Sequence, residues 1–419
     1  MGLREPHVRY GSRGRQTGLT AVTGIPTLDD LTVAGKRVLV RADLNVPMRD
    51  GTVGDTTRID RLLPTLRDLR SAGARIIVMS HFGRPNGKVD PALSLRPIAE
   101  VLSRALDGLP VQFSEDCIGA AAAEMVGRLR DGEILMLENL RFHSGEEQND
   151  PQFASALASL GDVYVDDAFS CAHRVHASVA ALTSLLPSGA GRGMQAELEA
   201  LEQALESPAR PLAAIVGGAK VSTKLDLLEN LISKVDVLVI GGAMANTFLY
   251  AQGIGVGKSL CEPDLSQTAR DVLAASERAG CEIVLPDDVV VADALIEGAK
   301  SIVVDAGAVP GDQMILDIGP ESAASLGDRL ADCRTLVWNG PLGAFEVPPF
   351  DTATNAVATE AARLTQTGSL RSVAGGGDTV AALTHAGVAD EFTYLSTAGG
   401  AFLEWLEGKP LPGVAALMT

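Results

Sequence analysis

The amino-acid sequence predicts an α/β protein with two doubly wound, Rossmann-like parallel-sheet domains that are joined by a hinge helix. Short apolar runs rich in β-branched residues alternate with helix-length amphipathic segments, which is typical of βαβ units and parallel sheets. These runs form one set in each half of the chain, and together they are too many for one simple sheet. With 419 residues, 46% of them hydrophobic, the chain has enough apolar material for two cores.

The candidate strands follow from these runs in chain order. In the first half they span residues 37–44, 75–80, 133–139 and 163–167. In the second half they span residues 213–216, 237–240, 282–285, 302–304, 335–338, 372–374 and 393–396. We expect each set to build one doubly wound domain.

A helix over residues 194–206 is predicted between the two sets of strands. Leu198, Leu201 and Leu205 share one of its faces, and Ser207-Pro208 ends it. The other faces carry Glu197, Glu199, Glu202 and Glu206. A hinge helix between domains and an ordinary surface helix both fit this pattern.

The segment before the first strand is a basic extension. Residues 1–26 contain Arg4, Arg9, Arg13 and Arg15 and lack the apolar segment of a signal peptide, so we expect a disordered extension there. The predicted domains then span residues 27–206 and 207–400. The longest charge-free stretch, residues 237–257, holds five glycines, which favours a buried strand, turn and helix over a membrane span.

The formal net charge of −18 disfavours nucleic acid and anionic membranes as partners. The charge is uneven, because residues 1–210 carry 23 Lys and Arg against 27 Asp and Glu, whereas residues 211–419 carry 12 against 26. Five dispersed cysteines without a CxxC pair favour a reducing, cytoplasmic environment. The first half therefore keeps its basic side chains, and the second half is acidic.

Arginine and histidine follow the strands of the first half. Ligands of parallel sheets bind beyond the carboxyl ends of strands, so these positions indicate the chemistry. The segments are Arg41 to Asn45, Ser80 to Pro85, Glu138 to His143 and Asp166 to Arg174. Arginine offers a planar fork of donors that suits phosphate and carboxylate. Surface ion pairing explains any one arginine as well, but the repeated placement predicts a pocket for a small polyanion.

Glycine follows the strands of the second half. The segments are Gly217 to Lys220, Gly241-Gly242, Gly375 to Thr379 and Gly399-Gly400. Glycine lets backbone amides approach a phosphate chain, and a helix that begins there adds its N-terminal dipole. Each pair alone fits a tight turn, but the set predicts a nucleotide site. Ser222 and Thr223 are predicted to cap a helix whose positive end lies near Lys220 and Lys224.

Other sites are less well supported. Gly257-Lys258-Ser259 resembles the end of a Walker A loop, but Gln252 stands where that pattern needs glycine. No Cys/His spacing typical of zinc ligands occurs, and there is no GxSxG elbow. A dehydrogenase is disfavoured because no GxGxxG follows a strand with an acidic residue about 20 positions later. Asp378 is the best candidate for Mg²⁺ bound mainly through nucleotide phosphates.

These observations together predict phosphoryl transfer between an anionic small molecule on the first domain and Mg-nucleotide on the second. Catalysis of this kind is chiefly positioning and charge stabilisation. The groups expected to reach the centre of the cleft are Arg58, Lys220 and Lys224. A non-catalytic binding protein of the same fold is the alternative.

Eight segments in order resemble the phosphoglycerate kinase family, from about Leu28 to the C-terminus. They are KRVLVRADLNVP at residues 36–47, then SHFGRP, ENLRFH, DDAFSCAHR, GGAKVSTK, WNGPLGAFE, GGGDTVAAL and STAGGAFLEWLEGKPLPGV. The resemblance implies reversible phosphoryl transfer from 1,3-bisphosphoglycerate to MgADP, with Mg²⁺ as the cofactor. It also implies hinge closure over the cleft, a monomer, and a C-terminal segment, residues 401–419, that packs on the first domain.

The resemblance also implies a role for individual residues. The phosphoglycerate would be bound by Asp43, Leu44, Asn45, Arg58, His81, Phe82, Gly83, Arg84, Arg141 and Arg174. The nucleotide would be bound by Ala219, Lys220, Lys224, Gly242, Asn339, Glu346, Gly376, Gly377, Asp378 and Thr379. Within these sets Glu346 would hold the ribose and Asp378 the Mg²⁺. The catalytic positions would be Arg58, Lys220, Lys224, Gly377 and Gly399.

The sequence departs from the family pattern at a few uncharged positions. Ser170-Cys171 stands in place of Gly-Thr, and Ala243, Ala398 and Ile315 stand in place of glycine. Ile315 bears on adenosine packing, and Ala398 on the approach of the backbone. The charged positions are unchanged.

Overall fold

The secondary structure of a computed structural model alternates strands and helices over residues 24–49 and 51–418, which are the residues the structure describes. The strands are β1 Arg37–Ala42, β2 Met48–Arg49, β3 Thr52–Val53, β4 Arg75–Met79, β5 Val111–Phe113, β6 Ile134–Met136, β7 Val163–Asp167, β8 Ser188–Ala190, β9 Leu212–Val216, β10 Val237–Ile240, β11 Glu282–Val284, β12 Asp288–Ala292, β13 Ile302–Asp305, β14 Met314–Ile318, β15 Thr335–Asn339, β16 Arg371–Gly375 and β17 Tyr394–Ser396. The predicted extension lies outside the described residues except for its last three positions.

The helices fill the intervals between these strands. They are α1 Thr57–Ser71, α2 Arg96–Ala105, α3 Gly119–Arg128, α4 Ser144–Glu147, α5 Pro151–Ala158, α6 Arg192–Leu201, α7 Leu225–Ile232, α8 Ala243–Ala251, α9 Ser266–Ala279, α10 Pro320–Asp332, α11 Thr352–Gln366, α12 Gly377–His385, α13 Gly399–Leu406 and α14 Pro412–Leu417. None of the helices in the described ranges combines the length and the apolar character that crossing a membrane requires.

Two six-stranded sheets confirm the predicted fold class. The first has the order β5-β6-β4-β1-β7-β8 and the second the order β11-β10-β9-β15-β16-β17, and all of their pairings are parallel. In each sheet the strand order reverses near the middle, which opens a crevice at the carboxyl ends of the central strands. These crevices position the candidate site.

Alternate residues of β1 show why the sheets are doubly wound. Val38 and Val40 pack into the apolar cluster on one face, whereas Leu39 packs into the cluster on the other. Because successive side chains of a strand point to opposite faces, a continuous apolar run requires cover on both sides. The cluster around Leu39 continues through Leu201 to Ala214 of β9, so apolar packing is continuous from one sheet to the other.

The prediction for residues 302–304 as a parallel strand is wrong. Those residues belong to β13 in a separate three-stranded sheet of order β13-β12-β14, in which both pairings are antiparallel. Val289 of β12 pairs with Val304 of β13. The connection between the two strands is too short to contain a crossover helix, so the chain turns back on itself.

The predicted interdomain helix is present with different bounds and a different buried face. It begins at Arg192 and ends as a π-helical turn, Glu202–Glu206. Leu198, Leu201 and Leu205 are buried as expected, but Glu197 is buried as well. Helix α6 packs against α1 and β7, while the π-helical turn packs against β15 and β16 of the second sheet.

The chain returns to the first sheet after the second sheet is complete. Helix α13 packs against α7 and also against the turn Phe169–Cys171. Helix α14 packs against β8, and the backbone N–H of Gly413 donates to the carbonyl of Ala172 at 2.8 Å. The last elements of the described chain therefore lie on the first sheet.

Candidate active site

The carboxyl ends of the first sheet surround a basic cavity of about 330 Å³, which we call the arginine cavity. Because β1, β4, β6 and β7 are parallel neighbours, the segments after them meet at one edge of the sheet. The walls from this side are Asp43, Asn45, Arg58, His81, Gly83, Arg84, Arg141, Ser170, Cys171, His173 and Arg174. The segment after β17 of the second sheet adds Thr397, Ala398, Gly399 and Gly400.

Arg58 is held at the mouth of this cavity by Asp43. It lies in the first turn of α1, and its Nη1 donates to Asp43 Oδ2 at 2.5 Å. Ser170 Oγ donates to the same oxygen at 2.5 Å. The Arg58 side chain keeps 31% of its surface exposed, so its remaining donors can meet a ligand.

His81 is held as a neutral ring at the base of the cavity. Its Nδ1 lies 3.1 Å from Nη2 of the fully buried Arg41. Burial, together with the charges of Arg41 and Arg141, lowers the pKa of His81 well below its ordinary value. Since the guanidinium can only donate, Nδ1 accepts and the ring proton resides on Nε2.

Arg141 is oriented by the backbone around it. Its Nη1 donates to the carbonyl of Gly83 at 2.8 Å, and its own N–H donates to Asn139 Oδ1 at 3.0 Å. The amide of Asn45 completes the arrangement, because its Oδ1 accepts from the N–H of Gly83 at 3.0 Å. Burial lowers the pKa of Arg141, but a guanidinium remains charged at any physiological pH.

The carboxyl edge of the second sheet holds a separate cavity of about 380 Å³, which we call the glycine cavity. Its walls include Gly218, Ala219, Gly242, Ala243, Ile315, Gly343, Phe345, Glu346 and Asp378. Gly242 has φ of 66°, and a Cβ there would lie 2.7 Å from the carbonyl oxygen of Gly218. Only glycine lets these two turns approach so closely.

Lys224 lies between the two central strands of the second sheet. Its Nζ donates to the carbonyl of Gly217 at 2.6 Å and to Asn339 Oδ1 at 2.6 Å. Burial lowers the pKa of Lys224 to about 8, against the opposing effect of Asp378. The ammonium is thus held at the carboxyl ends of β9 and β15.

Asp378 is a suitable ligand for Mg²⁺. It lies exposed in the first turn of α12 and lines the glycine cavity. A carboxylate oxygen is the type of ligand that Mg²⁺ prefers, with phosphate and water completing its shell. Gly376, which precedes the helix, has φ of 98°, a conformation that favours glycine. The first N–H groups of a helix have no partner within it, so those of α12 can serve a ligand.

Comparisons with known proteins identify the family. The phosphoglycerate kinase family model matches residues 28–409. The chain belongs to the phosphoglycerate kinase family. It is 62% identical over 397 residues to a phosphoglycerate kinase of Methylorubrum extorquens, covering 94% of this chain and 99% of that one. A relative from Sinorhizobium fredii is 62% identical over 392 residues, covering 93% and 98%.

Solved structures agree with this assignment. The structure of phosphoglycerate kinase from Coxiella burnetii superposes with a TM-score of 0.87 at 42% identity and covers 94% of this chain and 98% of that one. Membership of the phosphoglycerate kinase family confirms the predictions of a kinase and of the two-sheet fold.

The structure brings together most, but not all, of the residues that the phosphoglycerate kinase resemblance implies for the arginine cavity. Leu44 and Phe82 are buried in the apolar core and do not line it. Their backbones still shape it, because the N–H of Leu44 donates to Ser80 Oγ at 2.9 Å and the carbonyl of Phe82 accepts from Asn139. Ser170, Cys171 and His173 also line the cavity. They belong to the DDAFSCAHR segment but are not among the binding residues that the resemblance implies.

The residues that the resemblance implies for nucleotide binding also divide into those that line a cavity and those that do not. Ala219, Gly242, Glu346 and Asp378 line the glycine cavity, whereas Lys220, Lys224, Asn339, Gly376, Gly377 and Thr379 lie outside its walls. Asn339 positions Lys224, and Thr379 Oγ1 accepts from the N–H of Gly340 at 2.7 Å. Lys220 is exposed.

The predicted capping of α7 is wrong. Ser222 Oγ donates to Glu262, and Thr223 Oγ1 donates to the carbonyl of Lys220, so neither side chain caps the helix. Both hydroxyls have partners outside α7, because residues 221–223 form a separate 3-10 turn before it. Lys224 itself takes the N-cap position of α7.

Proposed function

We propose that this chain transfers a phosphoryl group reversibly from 1,3-bisphosphoglycerate to MgADP, giving 3-phosphoglycerate and MgATP. The observation that supports this most is the presence, in a member of the phosphoglycerate kinase family, of an arginine cavity on one parallel sheet and a glycine cavity on the other. The group moves from the carboxyl oxygen of the acyl phosphate to the terminal phosphate oxygen of ADP. No bond to the protein is needed.

The arginine cavity is proposed to bind the phosphoglycerate. Asp43 and Asn45 suit its hydroxyl group, while Arg84, Arg141 and Arg174 suit its phosphate. Neutral His81 donates from Nε2 and adds a hydrogen bond without further charge. Arg58, which Asp43 orients, would align the carboxyl phosphate and offset the charge that develops during transfer.

The glycine cavity and the groups beside it are proposed to bind the nucleotide. Glu346 would accept from the ribose hydroxyls, and Gly242, Ala219 and the start of α12 would accommodate the phosphates. Lys220 and Lys224 would stabilise the transferring group, together with the N–H groups near Gly377 and Gly399. When bound at Asp378, Mg²⁺ would neutralise phosphate charge.

The contacts between the sheets support a domain arrangement with closure. We propose a first domain of residues 27–206 with residues 401–419 and a second of residues 207–400. The two domains would close over the cleft by bending at α6 and at the segment after β17. Closure would exclude water, which would otherwise hydrolyse the acyl phosphate. We also propose that the enzyme acts in the cytoplasm as a monomer.

Replacement of Arg58 tests the proposed mechanism. With MgATP and 3-phosphoglycerate in a coupled assay, we expect Arg58→Ala to lower kcat by about 10²–10³-fold, because the transferring group loses a charged donor. Arg67→Ala is the matched control, since Arg67 is an exposed arginine of the same helix. Near wild-type turnover of the Arg58 variant, with unchanged circular dichroism, would disprove the assigned role.

A further inference from the structure

A second group of potential ligands lies at the outer edge of the first sheet, away from the arginine cavity. Asp116 and Cys117 follow β5, the edge strand, and His143 follows its parallel neighbour β6. A carboxylate oxygen, the thiol sulfur and an imidazole nitrogen of these residues all lie within 4.8 Å of one another. The parallel pairing of β5 and β6 brings these side chains together although they are far apart in sequence.

The three side chains are already partly organised. Asp116 Oδ1 accepts from the N–H of Cys117 at 2.6 Å and lies 2.7 Å from His143 Nε2. The Cys117 side chain is buried, whereas the side chains of His143 and Asp116 keep 32% and 45% of their surfaces exposed. An ion can therefore reach the group from solvent through the two exposed members.

The electrostatic surroundings favour a cation. The carboxylates Asp116, Glu146 and Glu138 lie close enough to the Cys117 thiol to act on it electrostatically. Three carboxylates around one sulfur create a negative potential, which a divalent cation would offset.

The structure contains one other group of this composition, which serves as a comparison. Among the described residues, Asp43, His81 and Cys171 also lie within 4.8 Å of one another. There, Arg41 Nη2 approaches Cys171 Sγ to 3.6 Å, and Arg58 pairs with Asp43. Guanidinium groups take the place that a cation would occupy, so the arginine cavity is unsuited to a metal ion.

We propose that Asp116, Cys117 and His143 form a site for a zinc-like divalent cation, with water as the fourth ligand. Oxygen, nitrogen and sulfur donors are the set that Zn²⁺ prefers, at about 2.0–2.3 Å. Rotation of the two exposed side chains would bring their ligand atoms to these distances from an ion beside Cys117. The sequence alone disfavours zinc because no two of these ligands have the spacing of a local motif.

Binding has a defined proton balance. Cys117 loses its thiol proton to the buffer as the metal–sulfur bond forms. The hydrogen bond between His143 and Asp116 breaks, and Nε2 of His143 binds the ion. The thiol therefore releases one proton per metal ion bound, which calorimetry in buffers of different ionisation enthalpy measures.

Cobalt titration of the full, chelator-treated chain tests the proposal. We expect about one Co²⁺ per chain, with the intense near-ultraviolet absorption of a thiolate–cobalt bond, and displacement by Zn²⁺. The absorption should disappear in Cys117→Ser and persist in Cys171→Ser, the matched control from the other group. Absorption that survives in Cys117→Ser, or that is lost only in Cys171→Ser, would overturn the assignment.

Two further variants keep the test decisive if Cys117→Ser does not fold. Asp116→Asn and His143→Gln alter partly exposed side chains, and each should weaken Zn²⁺ binding about tenfold or more. Unchanged affinity in both would disprove the site. These readouts measure metal binding without turnover, so they are independent of the kinase reaction.

Discussion

At the scale of single residues, Lys224 connects the geometry of the second sheet to a measurable pH dependence. Its ammonium is buried between Gly217 and Asn339, and its pKa falls to about 8 because burial disfavours the charged form. A nucleotide phosphate nearby would favour that form and raise the pKa again. Nucleotide binding should therefore take up protons near pH 8.

We predict that the affinity for ADP falls as the pH rises above about 8, by up to about tenfold per pH unit. The reason is the proposed role of Lys224, whose protonated form alone would attract the phosphates. Calorimetric titration with MgADP from about pH 7 to about pH 9.5 measures this change. Lys224→Arg should flatten the profile, because a guanidinium stays charged, whereas Lys258→Arg on the surface should not. A flat wild-type profile would contradict the prediction.

Glu197 shows where residue-scale prediction fails. Its helical position, away from the leucine stripe of α6, predicts exposure, yet it is 3% exposed. Tyr394 Oη donates to Glu197 Oε2 at 2.6 Å, and Arg61 Nη1 lies 3.6 Å from the same oxygen. These partners are distant in sequence, so the periodicity of one helix contains no information about them.

At the scale of secondary-structure elements, Asp167 connects α6 to the first sheet by a hydrogen bond. It ends β7, and its Oδ1 accepts from the N–H of Met194, in the first turn of the helix, at 2.9 Å. Burial raises the pKa of Asp167 from 3.8 to about 6. Between these values the folded chain binds a proton that the unfolded chain does not, so this group makes the protein less stable as the pH rises from about 4 to about 6.

We predict that Asp167→Asn removes this pH dependence while keeping an acceptor for the helix. The free energy of unfolding of the variant should rise relative to wild type between about pH 4 and about pH 6, as urea titrations would show. Asp131→Asn, at an exposed aspartate, should leave the wild-type slope unchanged. Parallel wild-type and Asp167→Asn profiles would contradict the assignment. Asp167→Ala should lower the free energy of unfolding by a further ~1 kcal/mol, because the N–H of Met194 loses its acceptor.

Most of the parallel strands could be predicted from the sequence, because a strand buried on both faces reads as a continuous apolar run. The edge strands β5 and β8 could not, since Gln112 interrupts the apolar run of the first and the second, Ser188–Ala190, has no large apolar side chain. Strands β12 and β14 were not predicted, and neither was the antiparallel pairing of β12 with β13 and β14. A run such as that of β12 does not specify whether its neighbour is parallel, and the direction follows from the length of the connections.

The candidate site was more predictable than the antiparallel sheet, because its residues follow parallel strands whose carboxyl ends share one edge. Ligands of parallel sheets bind beyond the carboxyl ends of the strands, and this rule places His81, Arg84 and Arg141 at one edge without knowledge of the strand order. It does not say which of two consecutive residues faces the cavity, and Leu44 between Asp43 and Asn45 faces the core instead. Residues that act by positioning, such as Asn139, become recognisable only from their hydrogen bonds.

At the scale of the whole molecule, the two sheets are joined by polar contacts as well as by α6. Arg61 of α1 donates to the carbonyl of Leu395 and to Tyr394 Oη, and its guanidinium lies 5.4 Å from the Tyr394 ring. Directly after β17, Gly399 and Gly400 line the arginine cavity. A change in the relative position of the sheets would therefore alter that cavity.

We predict that both substrates together make the molecule more compact. The radius of gyration from X-ray scattering should fall toward about 22 Å, the value for a compact chain of 419 residues. Addition of 3-phosphoglycerate alone or MgADP alone should give a smaller change, since either ligand alone leaves one of the two cavities empty. An unchanged radius under full occupancy would count against closure.

The return of α14 to β8 has a consequence for the order of synthesis on the ribosome. The strands of the second sheet end at Ser396, whereas α13, which packs on β16 of that sheet, and α14, which packs on β8 of the first sheet, follow them. Folding during translation is thus not strictly N-terminal first in this chain. Neither sheet can complete its packing until its covering helix, α13 or α14, has been made, so a ribosome stalled before Pro412 should leave the apolar surface beside β8 exposed to chaperones.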